Sequence, residues 1–211
     1  MKGLVLVLVL AAPGWGQLWT ATFEGGDLSE LACDPSCDSS LSSSTAESHD
    51  GSRSLRNVNA TGDIDNEIVN GLSSTHQNMD FWLFTTEAPA SSRHVLTART
   101  AADTELLRLI VGTSQLILVT VCEDPDDQLA AFTYSLNTWY HVVIDYDSVS
   151  GNLSVDIGTA SASKSTSCTG SAVENWFIPN DSAGTPIFYY DTFVLSEILA
   201  DAQRPAIMRT Q

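Results

Sequence analysis

The chain has 211 residues, enough for one β-sandwich domain, and carries 26 acidic against nine basic side chains, a formal net charge of −17. This balance disfavours partners that need a basic surface, namely nucleic acids and anionic membranes. Such an acidic surface suits cation binding, keeps a protein in solution or repels other acidic polymers.

The first residues have the pattern of a secretory signal peptide. Lys2 precedes an apolar run, 4–12, and small residues follow at Gly14 and Gly16. The run is shorter than the roughly 20 residues that cross a bilayer, so we expect no membrane insertion. Residues 1–16 are therefore predicted to be a signal peptide, and the protein is predicted to be secreted and extracellular. A buried first strand is the alternative, because Leu and Val favour strands.

The rest of the chain has the pattern of an all-β domain. Short stretches of β-branched and aromatic residues are separated by Gly, Asn, Asp and Ser, which predicts many short strands. The candidate strands are 19–24, 53–59, 63–69, 78–86, 93–100, 105–112, 115–122, 129–135, 138–147, 152–158 and 187–196. Tight links at 112–115 and 149–152 predict hairpins. No repeat is visible, so we predict one domain at 17–196 and a C-terminal tail at 197–211.

Four cysteines indicate disulfides, because the count is even and the chain has a predicted secretory signal. The short spacing of Cys33 and Cys37 suits a local disulfide. Cys122 and Cys168 then remain for a longer one. A zinc site would usually show repeated C-x2-C spacing or accompanying histidines, and the chain has neither arrangement.

Short motifs stand at both ends and in the middle of the chain, at 23–30, 48–55, 137–142, 151–156 and 187–196. This arrangement resembles the secreted concanavalin A-like or LamG-like jelly-roll domains and the related carbohydrate-binding modules. The resemblance implies an all-β fold, a single jelly-roll β-sandwich of two antiparallel sheets whose first and last strands are neighbours. It also implies a structural calcium between those strands. A fold of this kind hosts many functions, so activity has to be argued from a site.

The last candidate strand adds a physical reason to expect a cation. Strict alternation places Asp191 on the same face as Phe193 and Leu195, and a buried carboxylate is costly unless it is paired or coordinates a cation. Calcium takes about six to eight oxygen ligands. The positions that match the calcium site of similar modules are Glu24, Asp50, Ser52 and Asp191. Alternatively, Asp191 accepts hydrogen bonds from backbone amides or pairs with an arginine.

Three alternating acids, Asp63, Asp65 and Glu67, are the weak candidates for catalysis. A retaining glycosidase uses two carboxylates about 5–5.5 Å apart. However, their residue types and spacing depart from the E-x-D-x-x-E strand of jelly-roll glucanases, and a solvent-facing strand edge is the simpler interpretation. The chain contains no nucleophile elbow, phosphate loop or H-E-x-x-H motif. We therefore do not expect an enzyme.

Aromatic side chains are the better candidates for binding, because ring faces stack on sugars. Trp82 is expected in the core or on a groove, on the same strand face as Asp80. Trp176 is expected on an exposed loop. Along 139–146 the even positions form an apolar face, and Trp139 and His141 lie on the other. Sequons that could carry N-glycans begin at Asn59, Asn152 and Asn180.

The predicted function is a secreted, non-catalytic glycan-binding or adhesion module whose partner is an extracellular glycan or glycoprotein. Self-association into a homo-oligomer would supply avidity. One alternative is a structural subunit of an extracellular assembly or filament. The other is a polysaccharide hydrolase or lyase.

Overall fold

The structure, a computed structural model, describes residues 15–33, 36–58, 65–113, 116–121, 124–166, 170, 172–179 and 186–198. Within these ranges the fold is all β, with two antiparallel sheets and no helix. The strands are β1 (Trp15–Ala21), β2 (Leu41–Ser44), β3 (Ser54–Asn57), β4 (Asn66–Val69), β5 (His76–Thr85), β6 (Arg93–Arg99), β7 (Glu105–Val111), β8 (Leu116–Val121), β9 (Asp124–Thr133), β10 (Tyr140–Asp147), β11 (Asn152–Ile157), β12 (Ala160–Ser165), β13 (Asn175–Ile178) and β14 (Phe188–Ile198). The predicted β-sandwich class is confirmed.

One sheet has eight strands and brings the first and last of the described strands together. Its order is β12-β11-β10-β5-β14-β3-β2, and β1 also pairs with β14. The start of β14 pairs with β3 and its end pairs with β1, so β3 and β1 follow one another along the same edge of β14. The predicted contact between the first and last strands is therefore confirmed.

The second sheet has six strands in the order β4-β13-β6-β7-β8-β9. Side chains from both sheets meet in a continuous apolar core. Phe81, Tyr190 and Phe193 stack within it, with ring centroids 5.0 to 6.2 Å apart. This core explains the odd–even pattern of β10, whose Val142, Ile144 and Tyr146 are buried.

Three strands are absent from the eleven predicted ranges, namely β2, β12 and β13. β2 and β12 are Ser-rich edge strands, and β12 is mostly exposed, so neither carries the apolar alternation of a half-buried strand. β13 has four residues and lies between β4 and β6. The eleven predicted strands occur at shifted boundaries, and both predicted hairpins are present.

The predicted alternation along the last strand is wrong beyond Asp191. Asp191 pairs with Trp82, but the next β5 partner, Asp80, pairs with Val194, so β14 contains one extra residue there. Thr192 has a φ of 48°, which is typical of a β-bulge. The bulge places Asp191 on the outer face of the sheet, opposite to Phe193.

Several predictions lie at the ends of the described ranges or outside them. The Cys33–Cys37 disulfide is confirmed. β1 begins at Trp15, inside the predicted 1–16 segment, and β14 extends to Ile198. No helix in the described part of the chain is long and apolar enough to cross a membrane. The predictions that fall outside the described residues concern Asn59, Asp63, Cys122, Cys168, Asn180, most of the predicted signal peptide 1–16 and most of the tail 197–211.

Candidate functional site

The predicted calcium ligands meet at the bulge of β14, between the ends of β1 and β3. Glu24 follows β1, the turn 49–53 precedes β3, and Asp191 and Thr192 form the bulge. We call this region the terminal junction. Glu24 and Asp191 hold this turn from two sides, Glu24 through Ser52 and Asp191 through the Asp50 amide.

Glu24 holds the turn that precedes β3. Its carboxylate accepts hydrogen bonds from the Ser52 amide (3.0 Å), the Ser52 hydroxyl (2.9 Å) and the Arg53 amide (2.9 Å). Gly51 has a φ of 70°, and a Cβ there would lie 2.5 Å from the Glu24 carboxylate, so the turn requires glycine. Burial acts to raise the pKa of Glu24, but the bonds from Ser52 and Arg53 outweigh it and lower that pKa.

Asp191 is fully buried and holds the same turn from the other side. Its Oδ2 accepts the amides of His49 (2.7 Å) and Asp50 (3.0 Å), and its Oδ1 accepts the Thr192 hydroxyl at 3.2 Å. Burial raises the pKa of Asp191, and these hydrogen bonds offset only part of the rise. The sequence left open whether Asp191 coordinates a cation, accepts hydrogen bonds from backbone amides or pairs with an arginine. The hydrogen bonds from backbone amides are present in the structure.

The oxygens at the terminal junction define what a cation would meet there. Thr192 Oγ1 lies 3.3 Å from Asp50 Oδ2 and 3.2 Å from Asp191 Oδ1. In the described part of the chain, no three His, Cys, Asp or Glu side chains converge closely enough to hold a metal ion. A calcium ion at this place would thus take most of its ligands from carbonyl groups, hydroxyls and water.

A cluster of aromatic side chains lies on the outer face of the eight-stranded sheet, next to the terminal junction. The aromatic cluster consists of His49, Trp82, Phe84, Trp139 and His141. The His49 and Trp82 rings are stacked, with centroids 3.5 Å apart and planes 13° from parallel. His141 lies 4.8 Å from Trp82, while Trp139 contacts both His49 (5.8 Å) and Phe84 (5.1 Å). Trp82, Trp139 and His141 are partly exposed.

Two His–Asp pairs connect β5 and β10 on this face. His141 Nε2 lies 2.7 Å from Asp80 Oδ1, and His76 Nε2 lies 3.0 Å from Asp145 Oδ1. The four side chains are between 26% and 40% exposed, so a ligand on the sheet can reach them. The alternation of β10 predicted the position of His141, but its partner Asp80 depends on the pairing of β5 with β10, which no local pattern reveals.

Trp176 does not lie on an exposed loop, and that prediction is wrong. It belongs to β13, is 1% exposed, and donates its Nε1–H to Gln77 Oε1 at 2.9 Å inside the core. Gln77 in turn donates to the Val173 carbonyl at 2.7 Å. The four-residue strand was mistaken for a loop because Glu174 and Asn175 precede it and Pro179 follows it.

Asp65 and Glu67, the two candidate catalytic acids among the described residues, lie at the edge of the other sheet and do not form an isolated pair. Asp65 forms an ion pair with Arg99, which also binds Asp103 at 3.1 Å. Glu67 accepts a hydrogen bond from the Asn70 amide group at 3.2 Å. These contacts fit the solvated strand edge that was the simpler interpretation of the sequence.

No known family model matches the chain, and no curated protein matches it. Among solved structures it is similar to the cellulose induced protein Cip1, with 13% identity, a TM-score of 0.63, and 84% of this chain and 96% of that chain covered. It is also similar to domain 4 of AbnA, a GH43 extracellular arabinanase from Geobacillus stearothermophilus in complex with arabinotriose. There the identity is 11%, the TM-score 0.61, and the coverage 87% of this chain and 93% of that chain.

A third similar structure is the Trypanosoma rangeli sialidase in complex with the inhibitor DANA, with 14% identity, a TM-score of 0.55 and 77% of this chain covered. The chain spans only 28% of the length of that sialidase. Identities this low show a shared β fold and nothing finer.

Proposed function

We propose that the protein is a secreted, non-catalytic glycan-binding module that binds its ligand on the outer face of the eight-stranded sheet. The observation that carries this proposal is the aromatic cluster, in which partly exposed Trp82, Trp139 and His141 lie beside Asp80. A sugar ring presents C–H groups on its faces and hydroxyls at its rim. Aromatic rings with adjacent hydrogen-bonding groups suit both features.

The similar structures support this choice of ligand class. Cip1 is described as cellulose induced, and the AbnA domain was solved with arabinotriose. The Cys33–Cys37 disulfide supports an extracellular location, because disulfides persist in oxidising compartments. The predicted signal peptide agrees with that location.

Calcium at the terminal junction stays a prediction. The carboxylates of Asp50 and Asp191 approach the same hydroxyl of Thr192, which is the arrangement that favours it. The ion would join the ends of β1, β3 and β14 and would act on stability rather than on the ligand.

A glycan array with and without a chelator, followed by calorimetry, tests the proposal. We expect binding to at least one polysaccharide and about tenfold weaker affinity in Trp82→Ala and Trp139→Ala. Phe177→Ala is the matched control, because Phe177 is a partly exposed aromatic residue on the other sheet, where Arg99 lies over its ring. If wild type bound no glycan, or if Phe177→Ala were as damaging as Trp82→Ala, the proposal would be wrong.

Two further measurements, light scattering and an assay for reducing sugar, separate the two alternatives. Large particles in light scattering without glycan binding would favour a structural subunit of an extracellular assembly. Release of reducing sugar, lost on replacing Asp65 and Glu67, would favour a polysaccharide hydrolase. The ion pair of Asp65 with Arg99 speaks for a structural role of Asp65.

A further inference from the structure

The strand registers reveal a straight row of polar side chains across the eight-stranded sheet. Ser196 of β14 pairs with Asn78 of β5, which pairs with Asp145 of β10. Asp145 pairs with Ser154 of β11, and Ser154 pairs with Ser163 of β12. On the other side, Ser196 pairs with Gln17 of β1. The polar row thus consists of Gln17, Ser196, Asn78, Asp145, Ser154 and Ser163.

All six side chains point away from the core and are accessible. Their neighbours along each strand, such as Met79, Ile144 and Val155, are fully buried, so the row residues lie on the outer face. Gln17 and Ser163 are exposed, and the other four are partly exposed. Neighbouring strands lie about 4.8 Å apart, so the row is about 24 Å long.

We propose that this row is the binding track of an extended neutral polysaccharide that runs across the strands, an inference that rests on the proposed function. Hydroxyl, amide and carboxylate groups recur at each strand, and they match the hydroxyls of successive sugar units. The row is longer than a single sugar requires. The next row towards the aromatic cluster includes Val194 and Val143, which offer apolar contacts to sugar C–H groups.

A groove at one end of the row supports this assignment. It is lined by Asp145, Ser154 and Ser163 of the row, together with residues that flank them on β11 and β12: Asn152, Leu153, Lys164 and Ser165. The groove would therefore hold the ligand where the sheet reaches its edge strand, β12, and the polar side chains of the central strands would contact the rest of it.

Charge determines which polysaccharide fits. Asp80 and Asp156 lie in the row next to the polar row, and Asp147 pairs with Asn152 on its other side. Lys164 is the basic residue at the groove. Uronic or sialic acid units would place like charges beside these carboxylates, which is unfavourable. The ligand is accordingly a neutral polymer.

Titration calorimetry with oligosaccharide ladders tests the track. The probes are neutral arabino-oligosaccharides and β-1,4-linked gluco-oligosaccharides, with oligogalacturonates as the anionic series. We expect affinity for one neutral series to rise beyond the trisaccharide and to level off only when the row is covered. We expect the anionic series to bind about tenfold more weakly or worse.

Variants of the row provide the second arm. Asn78→Ala, Ser154→Ala and Ser163→Ala should each weaken binding by about two- to tenfold, the effect of one hydrogen bond between neutral groups. Ser42→Ala is the matched control, because Ser42 is a partly exposed serine on the opposite edge strand of the same sheet, β2, and pairs with Arg56 outside the polar row. Thermal melting checks that each variant remains folded.

The outcomes separate this inference from the proposed function. Glycan binding that saturates at the disaccharide, tight binding of oligogalacturonate, or equal losses in Ser42→Ala and Ser163→Ala would overturn the track and leave the proposed function standing. No binding of any oligosaccharide by wild type would overturn both.

Discussion

The imidazole of His49 is stacked on the indole of Trp82, with ring centroids 3.5 Å apart. The same His49 donates its backbone amide to the buried carboxylate of Asp191 at 2.7 Å. Asp191 in turn pairs with Trp82 in the sheet. The terminal junction and the aromatic cluster are therefore one structural unit, in which the fold of the chain ends sets the position of a ring at the proposed binding face.

His49 should control how a sugar reaches Trp82. Because its imidazole covers part of the indole, His49→Ala exposes more of the ring and removes one contact of Trp139. We expect Trp82→Ala to weaken glycan binding by about tenfold, as loss of an aromatic contact implies. His49→Ala should change the glycan affinity by a smaller factor, in either direction. Calorimetry of both variants checks this, and equal affinity of Trp82→Ala and wild type would contradict it.

Asp191 should be essential for stability. In Asp191→Ala the part-buried amides of His49 and Asp50 lose their buried acceptor, and an unsatisfied group of this kind costs up to about 1–3 kcal/mol. Asp50→Ala, a change at a largely exposed carboxylate, should cost about 0.5 kcal/mol or less. Chemical denaturation gives both free energies of unfolding. Similar losses in the two variants would show that amide satisfaction is not what Asp191 provides.

Much of the fold could be predicted because burial leaves a periodic signal. β5 and β10 alternate between core and solvent, so their positions and the outward face of His141 were predictable, whereas both faces of β5 are apolar and left Trp82 open between core and groove. β12 has only small polar residues on its outward positions and little apolar burial, so it leaves no such signal. Strand order and register arise from pairing between distant segments, and a single sequence does not record them.

The candidate site could be predicted only in part. A resemblance in short motifs pointed to Glu24, Asp50 and Asp191, and in the structure Glu24 and Asp191 contact the two ends of the turn 49–53. The bulge at Thr192 was missed because strict alternation assumes a regular strand, and a single inserted residue reverses the face of everything before it. The polar row was missed entirely, since it can be recognised only when the five registers that join its six strands are known.

Acidification should change the stability contributions of Glu24 and Asp191 in opposite directions. The pKa of Glu24 is lowered in the fold, so its contribution to stability is present above the usual 4.5 and is lost as the pH falls through the lowered value. The pKa of Asp191 is raised, so the fold gains stability from its protonation as the pH falls towards the usual 3.8. The Tm deficit of Glu24→Gln should therefore shrink on acidification.

Asp191→Asn should show the opposite trend in the same thermal melts. Wild type gains from protonating Asp191 as the pH falls, and the asparagine variant does not, so the variant should fall further behind. Parallel pH profiles for Glu24→Gln, Asp191→Asn and wild type would mean that neither carboxylate is perturbed as the hydrogen bonds indicate.

Trp176 should affect stability and leave binding intact. Trp176→Ala removes a buried indole and should cost about 3–5 kcal/mol. Trp176→Phe keeps most of the volume but leaves Gln77 Oε1 without the Nε1–H donor, a loss of about 1–3 kcal/mol. Denaturation measures the losses, and calorimetry on the folded Phe variant should find wild-type glycan affinity. Weakened glycan binding in a fully folded Trp176→Phe variant would indicate that Trp176 is part of the ligand site after all.

Calcium, if it binds at the terminal junction, should raise the Tm by binding only the folded state. A ligand at a hundredfold excess over its Kd contributes about 2.7 kcal/mol of stability. Asp50→Asn should reduce this response, because it removes the charge of one of the two carboxylates that approach the Thr192 hydroxyl. Asp27→Asn is the control, since the Asp27 carboxylate bonds Ser29 and lies outside the junction. Melting curves with calcium and with a chelator test this prediction. Identical Tm values would mean that amide and hydroxyl donors alone stabilise the junction.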